Sequence, residues 1–94
     1  MASFEVAHVH EQGIDLIIVP RDSSFGYKSN IEQGEVIAAL QRYSASAGLA
    51  GTVVPVWPSG DTYCFIAHPN WHAFFRSLCW NDIVASINKE VTIS

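Results

Sequence analysis

The chain has 94 residues, the length of one domain; 49% of them are apolar and only 15% are charged. This composition excludes a disordered chain, and it favours a single compact domain over residues 1–94. The net charge of −4 and the scattering of the cations exclude the clustered basic surface that nucleic-acid binding requires; these cations are Arg21, Lys28, Arg42, Arg76 and Lys89.

The first predicted element is a β-hairpin made by residues 3–11 and 14–20, which are rich in β-branched residues. Gln12-Gly13 between them suits a two-residue hairpin turn, which needs positive φ angles. Pro20 is expected to end the second strand. This turn predicts the cross-strand pairs Glu11–Ile14, His10–Asp15, His8–Ile17 and Val6–Val19.

A loop at residues 21–30 and then a helix are predicted to follow the hairpin. Ser29 and Glu32 fit a capping box, in which each residue hydrogen-bonds the other's backbone N–H. Gly48 is placed to end the helix in a left-handed conformation. An apolar stripe at helical spacing is made by Val36, Ile37, Leu40, Tyr43 and Ala47.

The second half of the chain predicts another hairpin, over residues 52–57 and 62–68, and another helix, over residues 71–87. Pro55 predicts an edge position or a bulge, because proline cannot donate to a ladder. Asn81-Asp82 is the position where the second helix would break. The alternating tail at residues 90–93 predicts a last strand.

Together these elements predict an α+β fold in the order ββα-ββα-β. We expect an antiparallel sheet of four to five strands with two helices on one face. Both faces of the first hairpin are largely apolar, whereas a strand buried on one side alternates apolar with polar residues. If the helices cover one face, the other must meet a second copy, another protein or a ligand. We therefore predict a homodimer or a cupped ligand surface built on the sheet.

Histidines make the best candidate for chemistry. His8 and His10 lie two apart on one strand face, and Asp15 lies across from His10, where its carboxylate can fix the imidazole tautomer. His72 opens the second helix. The chain has no zinc-type spacing of histidine and cysteine, so we predict no metal and no cofactor.

Aromatic residues outside the regular elements make the other candidate, because half-exposed rings give binding surfaces a large contact area. Phe25 and Tyr27 flank Gly26 in the loop, and Trp57 and Trp71 lie beside predicted turns or caps. Each ring has a competing interpretation as core filling, which a chain this small favours.

The leading hypothesis for function is a non-enzymatic binding domain with an apolar and aromatic surface for a small molecule or a protein partner. One alternative is a small enzyme or metal-binding protein using the histidines. Another is an acidic inhibitor, similar to an antitoxin or immunity protein, that blocks a basic partner. No signal peptide or membrane span is evident, so we predict a cytoplasmic protein with reduced Cys64 and Cys79 and no membrane partner.

Overall fold

The computed structural model describes residues 3–11 and 13–92, which form an α+β fold. The strands are β1 (Ser3–Glu11), β2 (Ile14–Pro20), β3 (Thr52–Ser59), β4 (Thr62–Phe65) and β5 (Lys89–Thr92). The α-helices are α1 (Asn30–Ser46), α2 (His72–Arg76) and α3 (Trp80–Ala85). Two short 3-10 segments, Ser23–Tyr27 and Pro69–Trp71, precede α1 and α2.

The five strands form one mixed sheet in the order β4-β3-β2-β1-β5. The prediction of a wholly antiparallel sheet is wrong at one place, because β3 runs parallel to β2. A parallel pair needs a long crossover connection, usually a helix, and α1 supplies it. The first hairpin, α1 and the second hairpin are therefore one continuous sheet built around a βαβ unit.

Three of the four predicted pairs of the first hairpin are confirmed, and the fourth, Val6–Val19, lies one position beyond the last pair of the ladder, Ala7–Ile18. His8 pairs with Ile17, His10 with Asp15 and Glu11 with Ile14. Gly13 has a φ of 78°, as the two-residue turn requires. Gln12, the other turn residue, and Ile93, the end of the predicted tail strand, lie outside the described residues.

The helices lie on opposite faces of the sheet, so the prediction of two helices on one face is wrong. The core under α1 consists of Val6, Ile17, Val19, Leu40, Val53 and Val91. The core under α2 and α3 consists of Ala7, Leu16, Ile18, Val54, Val56, Tyr63, Trp71, Phe75 and Ile83. Successive strand residues alternate between these two cores, because side chains of a strand point to alternate faces.

Burial on both faces explains why the first hairpin is apolar on both sides. Leu16 and Ile17 are each 0% exposed although they point in opposite directions. The open sheet face from which we predicted a homodimer is therefore covered by the chain itself. The homodimer remains a prediction, but an uncovered sheet face no longer supports it.

The predicted helix over residues 71–87 is two helices, and the break lies at residues 77–79 rather than at Asn81-Asp82. Asp82 lies in the first turn of α3 and stabilises the start of that helix: its carboxylate accepts the backbone N–H of the N-cap residue, Cys79, at 2.9 Å. Hydrogen bonds from the Cys79 backbone and side chain lower the pKa of Asp82. The preference of aspartate for backbone donors, which suggested a break, here completes a capping box.

Pro55 lies in β3, an interior strand, so the expectation of an edge position or a bulge is wrong. Its carbonyl accepts the Ile66 N–H at 3.2 Å, so its nitrogen faces the same neighbour. The last pair of the β3–β4 ladder is Val56–Phe65, so Pro55 lies one position beyond the end of that ladder. Proline is tolerated there because β4 has already ended. Since proline has no N–H to donate, the ladder does not continue past Phe65, and β4 is shorter than the predicted 62–68.

The two-sided core predicts the cost of cutting adjacent residues of β2. Leu16→Ala and Ile17→Ala should each lower the free energy of unfolding by about 2–5 kcal/mol, because each leaves a cavity in a different core. Ile14→Ala in the same strand is the control; Ile14 is 49% exposed and should lose about 0.5 kcal/mol. Urea unfolding measures all three. A sheet with one open face would tolerate one of the two core substitutions as well as it tolerates Ile14→Ala.

Candidate ligand-binding cleft

The predicted site residues separate into three regions of the structure. His8, His10 and Asp15 lie at the turn end of β1 and β2, on the α1 face. Trp71 and His72 lie on the opposite face, beside α2. Phe25, Tyr27 and Trp57 lie together at the far end of the parallel pair, again on the α1 face.

The predicted contact between His10 and Asp15 is present: His10 Nδ1 lies 2.6 Å from Asp15 Oδ1. His8 makes a different contact: its Nε2 lies 2.8 Å from the Ala50 carbonyl in the connection from α1 to β3. Gly51 packs so closely on Asp15 that an added Cβ would lie 2.6 Å from the Asp15 carbonyl oxygen. These residues tie the start of β3 to the hairpin, which is a structural role.

His72 and Trp71 belong to the packing of the other face. The Trp71 side chain is buried in the core under α2 and α3. His72 Nε2 lies 3.1 Å from the Ala67 carbonyl, and its ring packs edge-on against Phe65. The sheet separates His72 from His8 and His10, so these three imidazoles do not converge on one site.

The aromatic residues of the third region line an open cleft of about 300 Å³. Its walls are Ser23, Gly26 and Tyr27 of the 3-10 segment, residues 57–60 at the end of β3, and Cys64 of β4. The 3-10 segment follows β2, so the cleft lies where the carboxyl ends of the parallel strands β2 and β3 meet. Open sheets with parallel strands bind ligands at that edge.

Phe25 and Trp57 form the floor beside this cleft. Phe25 is 1% exposed, and its ring packs edge-on against Trp57 with centroids 5.0 Å apart. Gln33 of α1 donates from Nε2 to the Phe25 carbonyl at 3.0 Å, which fixes the 3-10 segment against the helix. Phe25 is thus a core residue, as its competing interpretation predicts, and only Tyr27 and Trp57 present rings to the cleft.

Gly26 permits this arrangement through its lack of a side chain. A Cβ at position 26 would lie 2.6 Å from Trp57 Nε1, closer than any real contact. Gly26 is not among the glycines with positive φ, so its backbone does not require glycine. A larger residue is excluded there because the indole nitrogen leaves no room for a side chain.

Sequence reasoning found the rings of the cleft but missed its other walls. Ser59 and Gly60 lie between the two strands of the predicted second hairpin, and Cys64 lies within one of them, so none of the three positions stands out in the sequence as a binding residue. Cys64 is half-buried and pairs directly with Trp57 across the β3–β4 ladder, so the two side chains share a face. The parallel pairing of β2 with β3 was the missing signal, because it alone brings the 3-10 segment to the end of β3.

The walls of the cleft are uncharged. They supply two aromatic rings, the hydroxyls of Ser23 and Ser59, and the Cys64 thiol. Asp22, which directly precedes Ser23, is bound by its own loop: the Ser24 hydroxyl donates to it at 2.5 Å, which lowers the pKa of the Asp22 carboxyl. Among the residues that the structure describes, no imidazole or carboxylate lines the cleft to activate the thiol or a hydroxyl as a nucleophile.

Comparison with known proteins identifies no relative: no family model, no curated protein and no solved structure matches the chain. Across residues 3–11 and 13–92, no three His, Cys, Asp or Glu side chains are grouped so that they could hold a metal ion. Within the same ranges, no helix has both the length and the apolar character to cross a membrane.

The packing at Gly26 predicts opposite effects for two glycine-to-alanine substitutions. Gly26→Ala should lower the free energy of unfolding by about 1–3 kcal/mol and change Trp57 fluorescence, because the new methyl group displaces the indole. Gly34→Ala should raise it by about 0.5–1 kcal/mol, because Gly34 lies inside α1 with nothing within 4 Å of the added Cβ. Thermal unfolding followed by fluorescence tests both. Equal stabilisation by the two substitutions would contradict the described contact with Trp57.

Proposed function

We propose that this chain is a non-enzymatic binding domain whose ligand is a small molecule held in the cleft at the carboxyl ends of β2 and β3. The observation that carries this proposal is the pair of rings at the cleft. Trp57 is half-buried, while Tyr27 is 88% exposed and packs into neither core. Exposing so large a ring gives the free protein no core contact, whereas a ligand would cover it.

The size and chemistry of the cleft support a small ligand. About 300 Å³ is at the lower end of the volumes of ligand pockets, which suits a compact molecule better than a peptide. Rings with a few hydroxyl groups are typical of sites that bind by packing and orient by hydrogen bonds. Binding is favoured over catalysis because the cleft brings no base to its thiol or hydroxyls.

The alternatives proposed from the sequence have less support. A histidine enzyme needs imidazoles that meet at one place, but His8 and His72 each face a backbone carbonyl on opposite sides of the sheet. An acidic inhibitor needs one concentrated negative surface, but the carboxylates are spread over β1, β2, the connection after β2, α1, the β3–β4 turn, α3 and β5. The homodimer and the cytoplasmic location remain predictions independent of the cleft, and sedimentation tests the first of them.

A thermal-shift screen with two exposed-residue variants tests the proposal. A panel of small uncharged aromatic and non-aromatic compounds should contain some that raise the melting temperature, because a ligand that binds only the folded chain stabilises it. Tyr27→Ala should weaken those compounds by about two- to tenfold, the usual worth of one aromatic contact. Ile31→Ala is the matched control, since Ile31 is 75% exposed and does not line the cleft.

Neither substitution should change the stability of the free protein by more than about 0.5 kcal/mol, because both side chains are exposed. Any difference in ligand effect between the variants then reports binding. Compounds that stabilise the Tyr27→Ala and Ile31→Ala chains equally well would bind outside the cleft, and that result would refute the proposed function.

A further inference from the structure

We infer that the cleft takes an uncharged, flat heteroaromatic molecule that presents a ring hydrogen-bond acceptor to the indole N–H of Trp57. This inference rests on the proposed function and names the chemical class of its ligand. Three features of the cleft carry it: a donor without a partner, a glycine beside that donor where any side chain would press on it, and walls that contain rings but no charge.

The donor is Trp57 Nε1. The indole N–H makes no hydrogen bond to any group within residues 3–11 and 13–92, since the side-chain hydrogen bonds in that part of the chain all involve other residues. Nor is it among the buried polar atoms without a partner, so the nitrogen keeps access to solvent at the cleft. The indole nitrogen can only donate a hydrogen bond, so the ligand group that pairs with it must be an acceptor.

Gly26 lets the cleft wall lie close to this donor without covering it. An added Cβ at position 26 would lie 2.6 Å from Trp57 Nε1, so any side chain there would press on the indole nitrogen. The Gly26 backbone does not require glycine, so the close approach to the indole is the feature that a side chain would disturb. Gly26 and Trp57 line the same cleft, so a side chain at position 26 would hinder access of a ligand to Nε1.

The remaining walls define the rest of the ligand. Tyr27 supplies an aromatic ring, which favours offset or edge-on packing with the ring of a ligand bound at Trp57 Nε1. Ser23 and Ser59 carry hydroxyls that can either donate or accept, so they suit polar atoms on the edge of a ring. A charged ligand would lose hydration without gaining an opposite charge, because no ionised side chain of residues 3–11 and 13–92 lines the cleft. A sugar is disfavoured because, in the same ranges, the cleft has no carboxylate or amide side chain to hold several hydroxyls at once.

The test compares benzimidazole with indole, at slightly alkaline pH where both are uncharged. The two compounds have the same fused-ring shape and both carry an N–H, but only benzimidazole has a ring nitrogen that accepts. Binding is followed on nitrogen-15-labelled protein through the indole N–H signals. The chain has three tryptophans, so Trp57→Phe assigns the Trp57 signal, and the signals of Trp71 and Trp80 serve as internal controls.

We expect benzimidazole to bind about tenfold more tightly than indole, the usual effect of one hydrogen bond, and to move the Trp57 N–H signal most. In Trp57→Phe, which keeps a ring but removes the donor, that preference should disappear. Equal affinity of the two compounds, with both moving signals of Tyr27 and Gly60, would overturn this inference and leave the proposed function standing. If neither compound nor any member of the uncharged panel, methyl glucoside included, moves those signals, the proposed function fails as well.

Discussion

The parallel pairing of β2 with β3 is the constraint on which the rest of the structure depends. Residues 16–19 of β2 are all at most 2% exposed, because α1 covers one face of the strand and α2 and α3 cover the other. Each such side chain contributes about 1.5–3 kcal/mol when fully buried. Two-sided burial is typical of strands in parallel pairs, whose crossover helices lie on the sheet faces. A one-residue shift of β2 would exchange every side chain between the two cores, so the register is strongly specified.

The same pairing gives the sheet two different edges on its α1 face. At one edge, the hairpin turn and the start of β3 meet, and Asp15, Gly51 and the His8–Ala50 contact hold them together. At the other, the carboxyl ends of β2 and β3 meet, and Phe25 of the 3-10 segment packs against Trp57. The histidines suggested by the sequence lie at the first edge, where they serve the packing. The cleft lies at the second edge, about 16 Å away by the rise of five strand residues.

Much of this fold follows from local sequence signals, and the errors share one physical cause. The hairpin register, the Ser29 cap of α1 and the left-handed Gly48 were predictable, because each depends on neighbouring residues. The direction of β3 was not predictable, because a hairpin–helix–hairpin order permits either direction. The contacts that position the start of β3 join separate elements: Gln41 of α1 bonds both Gly51 and Val53 through its side-chain amide at 3.0 Å. Without that direction, Tyr27 and Trp57 could be recognised as candidates, but Gly26, Ser59 and Cys64 could not be placed beside them.

A ligand held in the cleft should shield the thiol of Cys64, so the alkylation rate of Cys64 reports directly whether the cleft is the binding site. Cys64 lines the cleft, whereas Cys79 is exposed at the start of α3, so a Cys79→Ser chain isolates the first thiol while keeping a good helix cap. The rate of reaction with iodoacetamide is measured with and without benzimidazole at ten times its dissociation constant. We expect the alkylation rate of Cys64 to be about tenfold slower with the ligand, because about one chain in ten then remains unoccupied. An unchanged rate while the ligand is bound would contradict it, because the ligand would then lie elsewhere on the molecule.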